Sequence, residues 1–139
     1  MNIQTKIARV LLADDHAEIL TQTRNVLAGE FEIVGAVANG FELLKATAQY
    51  DPDVVVLDIT MPGLDGIETA RRLKKSGCRA KLVFLSVHED QDYVRAGLRV
   101  GASAYVIKAR LASDLVSAVH EVLQGNRFVS PTIAFEEEP

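Results

Sequence analysis

Residues 10–16 read VLLADDH, an apolar run that stops on two adjacent carboxylates, Asp14 and Asp15. A run without polar alternation is what a parallel strand needs when both of its faces are covered. The same kind of run recurs as VVVL at 54–57 and within KLVFLSV at 81–87. ARVLLA at 8–13, FEIVGAV at 31–37 and AYVI at 104–107 bring the set of expected strands to five. Between them lie segments of helical length, bounded by turn signals at Asn39-Gly40, Pro62-Gly63, Asp65-Gly66, Ser76-Gly77 and Gly101. Ile19, Leu20, Thr23, Val26 and Leu27 share one side of a helical wheel. Leu115, Val116, Val119, Val122 and Leu123 do the same in the last helix, which is expected to open on Ser113 and close at Gly125. The segment at 90–100 reads as the weakest helix, because its apolar residues spread around the wheel and Gly97 interrupts it. Strand and helix in alternation predict an α/β fold: a (βα)5 doubly wound parallel sheet with right-handed crossovers. Residues 1–124 form the expected domain, and 125–139, with two prolines and an acidic end, a linker or tail.

The totals narrow the function. A chain of 139 residues with 48% hydrophobic content fits one domain with a real core. A net charge of -4, with the basic residues scattered, argues against direct nucleic-acid binding. The cluster Arg71, Arg72, Lys74, Lys75 reads as the exposed side of a helix. A single cysteine, Cys78, excludes an internal disulfide and fits a reducing compartment. No segment has the length of a membrane span or the apolar stretch of a secretory signal, so a soluble, cytoplasmic protein is expected.

Ligands of such sheets gather beyond the carboxyl ends of the strands. Strand 1 ends in Asp14 and Asp15, strand 3 in Asp58, strand 4 in Ser86 and strand 5 in Lys108. Two carboxylates about 5 Å apart repel by on the order of 3 kcal/mol at an effective dielectric of 20, so the cluster calls for a hard cation. Mg²⁺ takes oxygen ligands and commonly binds through one or two carboxylates together with a phosphate. Each residue alone has a plainer explanation. Asp14 or Asp15 could cap the following helix, Ser86 could satisfy a backbone group, and Lys108 could be a solvated strand end. A core, however, supplies no reason for three acids at one edge. His16, beside the acids, reads either as a hydrogen-bond partner of Asp58 and its neighbours or as the polar start of a helix; His88 lies in the loop facing the site.

LLADDH, VVVLDITMPGLDG at 54–66, FLS at 84–86 and GASAYVIK at 101–108 resemble the receiver domain of bacterial two-component response regulators, over residues 8 to 123. The resemblance implies a flavodoxin-like fold with strand order 2-1-3-4-5. It implies Asp58 as phosphoacceptor for a sensor histidine kinase and Mg²⁺ held by Asp15, Asp58 and the Thr60 backbone carbonyl, with Asp14 acting mainly through a metal-bound water. Lys108 would reach a phosphoryl oxygen, and Ser86 and Tyr105 would form the switch. The chain would be a phosphoprotein of phosphorelay signal transduction, not a multi-turnover enzyme. LVSAVHEVLQGNRFVSP further resembles receivers joined to LuxR/NarL-type helix-turn-helix domains, which implies either the receiver of a transcription regulator that reaches DNA only through a domain absent here, or a stand-alone receiver with an acidic tail. A homodimer on phosphorylation is a further implication.

The sequence departs from that pattern at Val87, where many receivers carry Ala or Gly, and at Ala109, where many carry a cis proline. Two rivals stay open: a pseudo-receiver that binds partners without taking phosphate, for which Val87 argues, and a Mg²⁺-dependent phosphatase, which also passes through an aspartyl phosphate. The second is disfavoured because LLADDH lacks the DxD spacing of those enzymes.

Overall fold

The computed structural model describes residues 6–133. The last six residues of the expected linker or tail, 134–139, and the first five residues of the chain lie outside the described residues. β1 (Arg9–Ala13), β2 (Glu32–Val37), β3 (Val54–Leu57), β4 (Lys81–Ser86), β5 (Ala104–Ile107) and β6 (Phe128–Val129) form one sheet in the order β2-β1-β3-β4-β5-β6. All neighbouring pairs are parallel. The expected order 2-1-3-4-5 is present, and the expected count of five falls one short. β6 arises from the stretch read as a linker; with two residues and intermediate burial, it gave no strand-length apolar run to read.

Helices cover both faces, which is why the central strands are apolar throughout. α1 (Ala17–Leu27) and α5 (Leu111–Leu123) pack on Val10, Leu12, Val54, Val56, Val83, Leu85 and Val106. α2 (Gly40–Tyr50), α3 (Gly66–Lys75) and α4 (Gln91–Arg99) cover Leu11, Val55, Leu57, Leu82, Phe84 and Tyr105. Successive residues of a strand thus enter opposite cores, as a period of two dictates. Asn39, Asp65 and Asp90 cap α2, α3 and α4 by accepting from Glu42 N, Glu68 N and Tyr93 N. Ser113 does not cap α5: a 3-10 turn over Lys108–Arg110 runs straight into the helix, leaving Ser113 inside it. Gly125 stands at φ +86 just past its end, as expected of a helix stop.

α4 also differs from its reading. Val94 and Gly97 are buried on one side, with Leu98 packed beside them, so the apolar residues do form a face. Gly97 is a packing requirement, since a Cβ there would come within 2.9 Å of the Phe84 ring and 3.4 Å of Tyr105. Among the described residues, no helix is long and apolar enough to cross a membrane.

Candidate functional site

Parallel register brings the polar strand ends together. Ala13 pairs with Leu57 and Ser86 with Ile107, so Asp14, Asp58 and Lys108 each follow the last residue of a strand at the same edge. Asp58 N donates to Ala13 O at 3.0 Å and Asp14 N to Val37 O at 3.0 Å, fixing both acids by backbone ladder bonds. Asp14 and Asp58 are buried, while the Asp15 side chain is about one-third exposed. Gly66 makes room for the turn after Asp58, where a Cβ would overlap the Asp58 carbonyl oxygen.

Lys108 Nζ lies 2.9 Å from Oδ2 of Asp14 and 2.9 Å from Oδ2 of Asp58, with its side chain only 8% exposed. The bond to Asp58 is an aligned hydrogen bond; the approach to Asp14 is ionic, and Asp14 Oδ2 has no aligned donor. Burial pushes the Asp58 carboxyl above its usual range, the Lys108 hydrogen bond opposes that, and the Asp14 charge adds to it. Burial works against the Lys108 charge as well, yet its close contacts with the Asp14 and Asp58 carboxylates outweigh it and hold the ammonium above its usual pKa. The two directions are compatible because one cation serves two anions. The lysine gains from both, whereas Asp58 keeps a repelling neighbour.

The structure also assigns places to residues read less definitely. His16 precedes α1 without capping it through its side chain, and its Nδ1 lies 3.0 Å from Asp14 Oδ1 and 3.1 Å from Asp15 Oδ1. It contacts neighbours of Asp58 and also begins the helix, so both of its readings describe it. Neither Asp14 nor Asp15 caps α1; Asp14 Oδ1 instead accepts from His16 N at 2.9 Å. Thr60 N donates to Asp58 Oδ1 at 3.3 Å, and Thr60 Oγ1 meets His88 Nε2 at 3.0 Å across the mouth of the site. Ser86, fully buried, accepts from His88 N at 3.1 Å, and Tyr105 OH donates to His88 O at 2.8 Å. Ser86, His88 and Tyr105 are therefore already linked, with the Tyr105 ring turned inward. The Lys108–Ala109 peptide is not cis.

Sequence reading missed the group Arg110, Asp114 and Ser130 beneath Lys108. A carboxylate four residues after an arginine at a helix start was the available signal, but surface pairs at that spacing are common.

Asp14, Asp15, His16 and Asp58 each offer one ligand atom within 4.8 Å of the others. Three carboxylates and one imidazole, a mainly carboxylate donor set, fit a hard divalent cation such as Mg²⁺.

Residues 10–120 match the model of the response regulator receiver domain. The chain belongs to that family. It is 36% identical to the response regulator GacA of Pseudomonas viridiflava, over 91% of this chain and 60% of that protein. It is 30% identical to the nitrate/nitrite response regulator protein NarL of Escherichia coli K12, over 91% of this chain and 59% of that one. A two-component response regulator of the LuxR family from Aurantimonas superposes with a TM-score of 0.88 at 30% identity, covering 93% of this chain and 94% of that one. This receiver thus spans little more than half the length of GacA and NarL. Its relatives are regulators of the LuxR/NarL type, and its fold is the flavodoxin-like one expected.

Proposed function

We propose that this receiver is a phosphorylation-dependent switch in which Asp58 takes a phosphoryl group from the phosphohistidine of a sensor histidine kinase. One observation carries the reading: Asp58, its two acidic neighbours and Lys108 meet at a single point from three strands. A carboxylate oxygen of Asp58 forms the new P–O bond while the P–N bond to the donor breaks and its electron pair leaves with the imidazole. Asp15, Asp58 and the Thr60 carbonyl would hold Mg²⁺, with Asp14 acting through a bound water. The ion supplies neutralisation of the charge that otherwise repels an incoming phosphoryl group. Lys108 then exchanges a carboxylate partner for a phosphoryl oxygen, and the Ser86 hydroxyl, which accepts from His88 N, donates its proton to another. Tyr105, bonded to the same loop, transmits the change towards α4 and β5.

In this reading the receiver works in the cytoplasm, and its output is transcription regulation through a helix-turn-helix domain of a longer protein, with a homodimer formed on phosphorylation. Receiver domains are in general not multi-turnover enzymes. A pseudo-receiver is the second reading, and Val87 is its support, standing 62% exposed beside Ser86. Intact-mass measurement after exposure to acetyl phosphate and Mg²⁺ tests the assignment. Wild type should gain one phosphoryl group and Asp58→Asn none. Labelling of Asp58→Asn would remove Asp58 as acceptor, and failure of wild type to bind Mg²⁺ with beryllofluoride would favour the pseudo-receiver.

A further inference from the structure

The segment after α5 returns to the site through a buried polar clasp. Ser130 is 1% exposed and Asp114 5%. β6 pairs with β5 at Ala104↔Phe128 and Tyr105↔Val129, and Ser130 N then donates to Tyr105 O at 3.0 Å. The chain turns at Pro131. The following donor on β5, Ile107 N, is met by the Ser130 hydroxyl, which accepts from it at 3.1 Å. That hydroxyl donates to Asp114 Oδ2 at 2.8 Å. The same carboxylate accepts from Arg110 Nε at 2.7 Å and from Arg110 Nη2 at 3.1 Å. Ser130 thus holds the backbone at Ile107, Asp114 holds Ser130 and the side chain of Arg110, and Lys108 lies between Ile107 and Arg110.

The geometry points to Ser130 and Asp114 as positioning residues for Lys108: Ser130 fixes the backbone just before the lysine whose ammonium reaches Asp58, and Asp114 orients the Ser130 hydroxyl and ties down the Arg110 side chain just after it, so the strand after α5 completes the phosphoryl site. The inference rests on the role given to Lys108 above. Its chemistry is restrictive, because position 130 needs a group that accepts from a backbone N–H while donating to a carboxylate. Burial raises the Asp114 pKa, but hydrogen bonds from Arg110 and Ser130 overcome it and hold the group below its usual range. Asp114 therefore stays an acceptor, which sets the direction of the Ser130 proton and leaves a lone pair for Ile107 N–H. Alanine at 130 would strand a buried donor and weaken the hold on Asp114.

A seam that only sewed β6 to the sheet would lower stability without discriminating between ligands. A clasp that aims Lys108 has a sharper signature, since Lys108 meets the phosphoryl group and is not a ligand of the cation. The test uses the full chain as wild type, Ser130→Ala, Ser130→Thr, Asp114→Asn and Asp58→Asn. Mg²⁺ affinity, beryllofluoride affinity at saturating Mg²⁺, and thermal melting are measured on each. Ser130→Ala and Asp114→Asn should weaken beryllofluoride about fivefold or more, the scale of one lost hydrogen bond. Mg²⁺ binding should not weaken, and Ser130→Thr, which keeps the hydroxyl, should hold beryllofluoride more tightly than Ser130→Ala. Folded variants that bind beryllofluoride as wild type does would overturn the inference. So would a loss of beryllofluoride and Mg²⁺ together with cooperative melting, which would leave the clasp a structural role alone. A wild type that takes neither beryllofluoride nor phosphate would instead sink the role of Asp58, and the inference with it.

Discussion

Lys108 Nζ stands 2.9 Å from Asp58 Oδ2 and is itself almost enclosed, so the cation that would later hold a phosphoryl oxygen first holds the acceptor. The ammonium also stands between Asp58 and a second buried acid, Asp14, at the same distance. Replacing it with methionine keeps much of the side-chain volume and removes the charge. Two facing carboxylates remain, and breaking a buried pair in this way costs about 3 kcal/mol or more. Lys108→Met should therefore melt lower than wild type at neutral pH, and Mg²⁺ should stabilise it more than wild type. Equal urea midpoints for the two proteins would show that water, not Lys108, screens these acids.

Asp58 predicts a pH dependence of known sign. Its folded pKa is raised above 3.8 by burial first, with the Lys108 hydrogen bond opposing and the Asp14 charge adding. The proton is thus bound more tightly in the folded state. That contribution is complete below pH 3.8 and is lost as pH rises through the raised value. Asp58→Asn removes this loss, so without metal the variant should be the more stable protein at neutral pH. Its excess should shrink as pH falls to 3.8, and urea midpoints across that range measure it.

Gly66 carries a prediction about the site's frame. Its N–H donates to Ile59 O at 2.6 Å, and a Cβ would overlap the Asp58 carbonyl oxygen and lie 2.8 Å from Ile59 Cα. The obstacle is backbone, so no side chain can yield. Alanine is favoured over glycine by about 1 kcal/mol within a helix, and that gain is too small to offset displacing the turn. Gly66→Ala should lose about 2 kcal/mol or more of stability, as overpacked sites do, and should slow labelling of Asp58 by acetyl phosphate. A fully labelled, equally stable variant would show that the turn can shift freely.

Much of this was legible because two local rules agree with the global fold. Unbroken, β-branched apolar runs such as VVVL at 54–57, too short for a helix, read as doubly covered strands, and once strands are parallel, their last residues must share an edge. Asp14, Asp58, Ser86 and Lys108 followed from register alone. What stayed hidden depended on side chains finding partners far along the chain. Ser130 and Asp114 are ordinary polar residues until β6 folds back, and a two-residue strand leaves no periodicity. Gly97 misled for a related reason: glycine in a helix weakens it on propensity, while its use here is the close approach of Phe84. The His88 contacts with Thr60 and the link to Tyr105 likewise needed loop geometry that no spacing encodes.

Tyr105 offers the most direct check on the switch arrangement. Its ring is fully enclosed and its hydroxyl donates to His88 O at 2.8 Å, and burial is the main reason its pKa is pushed up from 10.0 to about 12. The unfolded chain loses this proton first. Stability from the neutral phenol is therefore complete below pH 10.0 and is lost as pH rises through about 12. Tyr105→Phe should lose about 1 kcal/mol below pH 10, through the orphaned carbonyl, and should lack that alkaline limb of the stability curve. In the difference titration of wild type against Tyr105→Phe, tyrosinate absorbance should appear near pH 12, provided the fold persists there. A step near 10 would mean that the hydroxyl faces water. The ring would then not be seated against β4, and the coupling of Ser86 to Tyr105 through the His88 backbone would lose its physical basis.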